Sequence, residues 1–166
     1  MLIRDLADTD LDLATAINQA NIPAVGDADE AKLRHIFGQC RVALGAFADE
    51  PGASGSLAGF CLVLPPGADY GSLNYRWFTE RYDSFAYLDR VAVDEQFRNQ
   101  GVGAALYAEV EARLAGTAEW FTLEVNLRPR NDGSLRFHHR LGFTEVGQQE
   151  TDYGVLVSML AKPLPR

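Results

Sequence analysis

The chain has 166 residues, 47% of them hydrophobic and 23% charged, which sets disorder aside and supplies about one domain's worth of core. A net charge of −8 lacks the basic surface that nonspecific nucleic-acid or anionic-membrane binding needs. It mildly favours a cationic small-molecule partner, although acid that merely keeps a protein soluble explains it as well.

No apolar run reaches the ~18 residues of a membrane span. The opening MLIRDLADTD lacks the basic flank and apolar stretch of a signal peptide, so a cytoplasmic protein is expected. Cys40 and Cys61 match no metal spacing and read as buried reduced thiols, with no metal site expected.

Leu2–Arg4 reads as a first strand. Thr9 is placed to cap a helix whose apolar positions Leu11, Leu13, Ala14 and Ile17 recur at helical spacing. That helix should stop near Asn21-Ile22-Pro23, because the residue before proline avoids the helical region. A second helix fits Ala28–Phe37. Strand-like runs follow over Arg41–Phe47 and Leu57–Leu64, separated by the turn-rich ADEPGASGS.

The segment from Pro65 to Ser84 reads as one long connection dense in aromatics: Tyr70, Tyr75, Trp77, Phe78 and Tyr82. Such connections are often lids or binding segments. Phe85–Val93 then reads as a strand, Gly101–Gly116 as a helix, Trp120–Leu127 as a strand and Ser134–Leu141 as a short helix. Closing strands fit Phe143–Gln149 and Tyr153–Leu160. The order β-α-α-β-β-β-α-β-α-β-β indicates one α/β domain over 1–166 with a mixed sheet.

The most informative local chemistry is RNQGVG, Arg98–Gly103, between a strand and a helix. Glycines let backbone amides approach a ligand closely, and the first amides of a helix are unpaired and carry the positive end of its dipole. A P-loop would need Gly-Lys-Ser/Thr, which is absent. A dinucleotide fingerprint wants a small residue where Leu106 stands.

What remains, R-x-x-G-x-G after a strand ending V-A-V and before an alanine-rich helix, resembles the acyl-CoA-binding motif of the GNAT superfamily of N-acetyltransferases. The resemblance extends to Asn131, Ser134, His138, Gly142 and Phe143, which stand at the spacing of that family's closing motif.

The resemblance implies a GNAT-like fold, a mixed and mostly antiparallel sheet of about seven strands with flanking helices. It also implies acetyl-CoA, or coenzyme A, as the bound cofactor. Val91, Ala92 and Val93 would pair with the pantetheine arm as an added strand does. The amides of Arg98, Asn99, Gln100, Gly101, Val102, Gly103 and Ala104 would wrap the pyrophosphate, aided by the Arg98 guanidinium. Asn131 would reach the pantetheine or the adenosine end, or cap the helix that follows it, and the two are compatible. Ser134 and His138 share its face of that helix, while His139 is rotated about 100° away.

In this family an amine attacks the acyl thioester directly. An alkyl ammonium of pKa near 10.4 is neutral in only one molecule in ~2500 at pH 7, so a general base is valuable. Asp89 and Glu124 are the candidates, each an acid inside an apolar strand. Glu124 falls where some members, including ribosomal-protein acetyltransferases, place a catalytic glutamate. The histone-acetylating branch has its glutamate where this chain has Tyr87. Asp89 equally suits a pair with Arg90, and for Glu124 both readings stay open. His138 stands where most members carry a tyrosine acid and is the candidate donor to the leaving sulfur.

Acceptor recognition is expected from the first two helices and the aromatic connection, with Asn21, Val25, Asn74, Tyr75, Trp77 and Tyr82 as candidates. Their rings suit a cationic amine, and equally a dry lid or the interface of a homodimer. The expected activity is acetyl transfer to an amine of a small molecule, such as an amino acid or polyamine-like compound. A protein N-terminus or lysine as acceptor, and a non-catalytic acyl-CoA sensor, are the alternatives.

Overall fold

Seven strands make one sheet: β1 (Leu2–Asp5), β2 (Val42–Phe47), β3 (Leu57–Leu64), β4 (Phe85–Val93), β5 (Trp120–Arg128), β6 (Thr144–Glu150) and β7 (Leu156–Pro163). Their spatial order is β1-β2-β3-β4-β5-β7-β6, with β4 and β5 parallel and every other pair antiparallel. The computed structural model describes residues 1–49 and 55–166, so most of the turn expected over Ala48–Ser56 lies outside the described residues. Among the described residues no helix is long and apolar enough to cross a membrane.

Helices α1 (Leu11–Ala20), α2 (Glu30–Gln39) and α3 (Leu73–Thr79) pack on one face of the sheet. Helices α4 (Val102–Leu114) and α5 (Asp132–Arg140) pack on the other. β3 is covered from both sides and buried at every position, which is why LAGFCLVL reads as an unbroken apolar run.

Two irregularities open the middle of this sheet. The parallel pairing of β4 with β5 covers only Phe85–Tyr87 against Trp120–Thr122, and beyond it the strands diverge. On its other edge β4 carries a bulge: Leu62 pairs with Arg90 and Val63 with Leu88, which leaves Asp89 out of the ladder. A bulge bends its strand and shifts the side-chain alternation by one. Ala86 and Leu88 face α4 before it, whereas Val91 and Val93 do so after it and Ala92 faces the opposite side.

Several local expectations need correction. Thr9 does not cap α1; a 3-10 turn over Asp8–Asp10 precedes the helix, and the Asp10 carboxylate accepts from the Ala7 N–H at 2.7 Å and from Arg4 at 2.8 Å. Leu13 is exposed. The second helix begins later than expected because Asp29 caps it, accepting from the Lys32 N–H at 2.8 Å. The final strand starts at Leu156 rather than Tyr153, since Thr151 through Gly154 form the hairpin turn, with Gly154 at φ +81°.

The connection from Pro65 to Ser84 is not all loop, for it contains α3, whose Ser72 accepts from the Tyr75 N–H at 3.3 Å. The serine cap and the i, i+4 pairs Leu73–Trp77 and Asn74–Phe78 were its sequence signal.

Candidate active site

The divergence of β4 from β5 opens a cavity of about 1210 Å³ that runs through the sheet from one helical layer to the other. On the α4/α5 side it is lined by Gly103, Tyr107, Asn131, Ser134, Phe137 and His138. On the α1/α2/α3 side it is lined by Asn21, Val25, Tyr70, Asn74 and the hairpin residues Asp152 and Tyr153. Val91, Ala92 and Val93 form one wall, and Glu124 and Asn126 belong to the other.

Glu124 sits just past the last paired rung, two residues beyond Thr122 and on the same face of β5. The Tyr87 hydroxyl, across the β4–β5 junction, lies 2.9 Å from Oε1 and 2.7 Å from Oε2 of its carboxyl group. The Asn74 side-chain amide donates to Oε1 at 3.2 Å, and Asn74 itself accepts from Gln149 at 2.8 Å. The carboxyl is deep in the molecule yet keeps a face on the cavity. Loss of bulk water raises its pKa to about 8; the nearby Asp89 adds to the rise, and the bonds from Tyr87 and Asn74 hold it back.

Asp89, the other candidate base, is committed elsewhere. Its Oδ2 accepts from Arg90 Nε at 2.7 Å and its Oδ1 accepts from the Tyr70 hydroxyl; both members of the ion pair are 4% exposed. Asp89 is thus one half of a buried ion pair, whereas the partners of Glu124 are neutral, which favours the ion-pair reading of Asp89.

His138 is buried, and both ring nitrogens are engaged. A carbonyl can only accept, so Nδ1, 2.7 Å from the Ser134 carbonyl oxygen, carries the proton. Nε2 then accepts from the Tyr107 hydroxyl at 2.6 Å. Burial lowers the pKa of His138, and the bond to Ser134 offsets this only in part. With Nδ1–H on the Ser134 carbonyl and Nε2 on the Tyr107 hydroxyl, the neutral imidazole has no N–H left over for the leaving sulfur. His139 is exposed, as helix geometry required.

The glycine loop leads from β4 into α4, and within it the Arg98 amide is already engaged, donating to the Glu95 carbonyl at 3.4 Å. Asn99 and Gly101 adopt left-handed backbone conformations, φ 61° and +79°, that turn the chain into α4. Ala105, bonding to Gly101 at 3.0 Å, is the first amide to donate back along this helix. The amides of Val102, Gly103 and Ala104 therefore have no helical partner. A Cβ at Gly103 would meet only the Phe137 ring, at 3.6 Å, so glycine there keeps the cavity wide rather than relieving a clash.

Along β4, Asp94 donates to Ala58 of β3 at 2.8 Å. By alternation, Val91 and Val93 turn their backbone groups to the open side. Donors and space thus fit a pyrophosphate-bearing thioester laid beside β4. One detail differs from expectation, and the helix cap expected of Asn131 is present. The exposed Arg98 donates to Asn21 at 3.1 Å, and Asn21 in turn donates to the Val93 carbonyl at 3.1 Å. Asn131 caps α5, accepting from the Ser134 N–H at 3.3 Å, while also lining the cavity.

Of the expected acceptor residues, Asn21, Val25 and Asn74 line the cavity and three others do not. Tyr75 is buried and ties down the segment before its helix, donating to the Pro65 carbonyl at 2.6 Å and accepting from the Ala68 N–H at 3.0 Å. Trp77 lies over Gly147, where an added Cβ would come within 2.5 Å of its ring. Tyr82 packs edge-on against Trp120. Aromatic density alone did not separate these packing rings from Tyr70, the one ring of that connection on the cavity wall. Nothing in the sequence marked Tyr107, which α4 carries in from the far layer.

The model of the acetyltransferase (GNAT) family matches residues 14–143. A search of curated proteins gives no match. Among solved structures the chain is similar to the ribosomal-protein-S18-alanine N-acetyltransferase from Escherichia coli, at 22% identity and TM-score 0.74 over 99% of this chain and 94% of that one. It is similar to Arabidopsis thaliana NAA60 in complex with acetyl-CoA, at 20% identity and TM-score 0.78 over 98% and 99% of the two chains. It is also similar to Ard1 from Thermoplasma volcanium, at 19% identity and TM-score 0.76 over 99% and 98%. These likenesses concern the fold, whereas the family match takes in both the glycine loop and the stretch from Asn131 to Phe143. The chain belongs to the GNAT acetyltransferase family, which works with acetyl-CoA.

Proposed function

We propose that the protein transfers an acetyl group from acetyl-CoA to a primary amine of a small molecule, with Glu124 as the base that relieves the amine of its proton. The observation that carries this reading is the placement of Glu124. A carboxyl group with pKa about 8 stands where β4 and β5 separate, with one face on the cavity. Acetyl-CoA supplies the activated acetyl thioester.

This chain's residues then have distinct tasks. The amides of Val102, Gly103 and Ala104 hold the pyrophosphate at the N-terminus of α4, and the open-side backbone of Val91 aligns the acyl arm. An N–H of β4 facing the gap polarises the carbonyl under attack. Asn74 and Tyr87 hold the Glu124 carboxylate toward the cavity. A thiolate of pKa near 8.5 takes up a proton at pH 7 with a driving force of about 2 kcal/mol, so no dedicated acid is required. His138 and Tyr107 shape that wall instead.

Proton matching bears on the acceptor. A carboxyl near pKa 8 and an α-ammonium near 7.8 exchange a proton at almost no cost, whereas an alkyl ammonium near 10.4 gives its proton up against about 3 kcal/mol. An α-amine whose neighbouring carboxyl is masked, as in an amino-acid amide or ester, is the favoured small molecule, because a free carboxylate beside the amine raises its pKa. One observation favours a second reading, a peptide terminus: Tyr153 on the cavity rim is 66% exposed, so the mouth stays open to a longer chain.

The test is thiol release from acetyl-CoA across amino acids, their amides and esters, polyamines and short peptides. Turnover with α-amines above alkyl amines supports the reading, and peptide-only turnover selects the second. Tight coenzyme A binding with no turnover on any acceptor makes the protein a sensor.

A further inference from the structure

The side chains of Asp89 and Arg90 are almost fully buried, and Asp89 touches the chemistry above only through the effect of its charge on Glu124. Their hydrogen bonds lead outward to both segments that wall the acceptor side of the cavity. From Arg90, Nη1 donates to the Asn18 side-chain oxygen at 2.9 Å and to the Gly26 carbonyl at 3.2 Å. Asn18, fully buried near the end of α1, donates to that same carbonyl at 3.1 Å and to Gln19 at 3.0 Å. The turn between α1 and α2, with Val25 on the cavity wall, is thereby fixed to β4.

On the other oxygen of Asp89, the Tyr70 hydroxyl fixes the segment before α3. Tyr70 lies between the Tyr75 anchor and the wall, its ring edge-on to Tyr75 at 5.8 Å. Both attachments converge on the residue that the β4 bulge leaves out of the ladder and on its neighbour. The bulge aims this pair at the two acceptor segments instead of at the sheet.

We infer that the Asp89–Arg90 pair is a positioning device that sets the shape of the acceptor site, holding the α1–α2 turn and the Tyr70 segment at fixed spacing across the cavity mouth. The inference rests on the proposed amine acetylation only in naming what binds there. Because the pair lies on the acceptor side, disturbing it acts on acceptor affinity more than on acetyl-CoA affinity or on the proton transfer at Glu124.

The experiment uses Asp89→Asn and, because a guanidinium left without its counter-charge can stop the chain from folding, Tyr70→Phe, which removes one attachment and keeps the ion pair. With the best amine of the panel, the expected result is an acceptor KM raised ~10-fold in Asp89→Asn and ~3-fold or more in Tyr70→Phe. The KM for acetyl-CoA should stay within about twofold; kcat should keep its pH profile in Tyr70→Phe, and in Asp89→Asn keep its limb but at lower pH, because the Asp89 charge helps to raise the Glu124 pKa. A kcat loss of ~100-fold in Asp89→Asn with a flattened profile makes Asp89 the base and overturns the inference. So does an unchanged acceptor KM in Tyr70→Phe.

If the unaltered protein turns over no amine, the proposed function fails by itself, and amide exchange then decides. Faster exchange in Ala68–Tyr70 alone in Tyr70→Phe, and in both Val25–Ala28 and Ala68–Tyr70 in Asp89→Asn, with α4 unchanged, upholds the pair as the shared anchor. Unchanged exchange at Ala68–Tyr70 in Tyr70→Phe, or at Val25–Ala28 in Asp89→Asn, refutes it.

Discussion

The Tyr87 hydroxyl reaches both oxygens of the Glu124 carboxyl, at 2.9 and 2.7 Å, from the last rung that joins β4 to β5. The carboxyl is thus held at the fork of the two strands, where burial raises its pKa to about 8. A base must be ionised to act, so kcat should rise with pH through about 8. Glu124→Gln should lower kcat ~10²–10⁴-fold and abolish that limb. Tyr87→Phe, by removing a bond that favours the ionised form, should move the limb upward by ~1 pH unit. A kcat profile indifferent to both changes would remove Glu124 from the chemistry. The other groups facing this carboxyl, Asn74 and Asp89, are unchanged in these variants.

The same shift acts on stability. A folded-state pKa of about 8 against the ordinary 4.5 means that the folded chain binds a proton more tightly than the unfolded one. The resulting stabilisation is complete below pH 4.5 and is lost as pH rises through about 8. Glu124→Gln does not titrate. Its Tm relative to the unaltered protein should therefore climb between pH 5 and pH 9, by ~4–8 °C after allowing for the face open to cavity water. A constant difference in Tm across that range would show that Glu124 titrates normally.

His138→Ala removes the acceptor of the Tyr107 hydroxyl and leaves a buried phenol unpaired. We expect a loss of ~2–3 kcal/mol in stability by chemical denaturation, with kcat reduced less than ~5-fold. Because burial lowers its pKa, His138 contributes stability that is present above its usual value of 6.5 and is lost as pH falls through the lower folded value. The variant should therefore lose less stability on acidification below pH 6.5. A ~100-fold kcat loss in a well-folded variant would restore His138 as an acid. His139→Ala is the control.

Gly103→Ala should fold normally, since its new methyl meets only Phe137 at an ordinary 3.6 Å. It should nevertheless weaken coenzyme A binding ~10-fold or more by calorimetry, and Gly103→Leu should abolish it. Full affinity in Gly103→Leu would mean that the ligand does not approach this turn of α4.

Much of this was legible in the sequence. β4 was bounded correctly because FAYLDRVAV is apolar, β-branched and cleanly flanked, and the glycine loop declared itself by backbone chemistry that few other residues allow. Helix geometry alone separated His138 from His139. What stayed hidden depended on partners distant in the chain. Whether Asp89 is a base or half of an ion pair is decided by Tyr70, and the state of His138 is decided by Tyr107, 31 residues away. Trp77 resembled a ligand-binding ring until Gly147, on β6, supplied the surface it covers. The short α3 was concealed because seven residues offer too few turns for a periodic pattern to stand out.

The three-rung junction between β4 and β5 also bears on how the protein is held together. Beyond Tyr87 and Thr122, two interior strand edges run side by side without exchanging hydrogen bonds. In the proposed binding mode an extended ligand lying along Val91 would take the place of an eighth strand on the open edge of β4. Occupancy and folding are then linked quantities: at a hundred times Kd, such a ligand adds about 2.7 kcal/mol to stability. In that binding mode the donor substrate would be a structural member of the sheet, and thermal unfolding should depend on the concentration of acetyl-CoA.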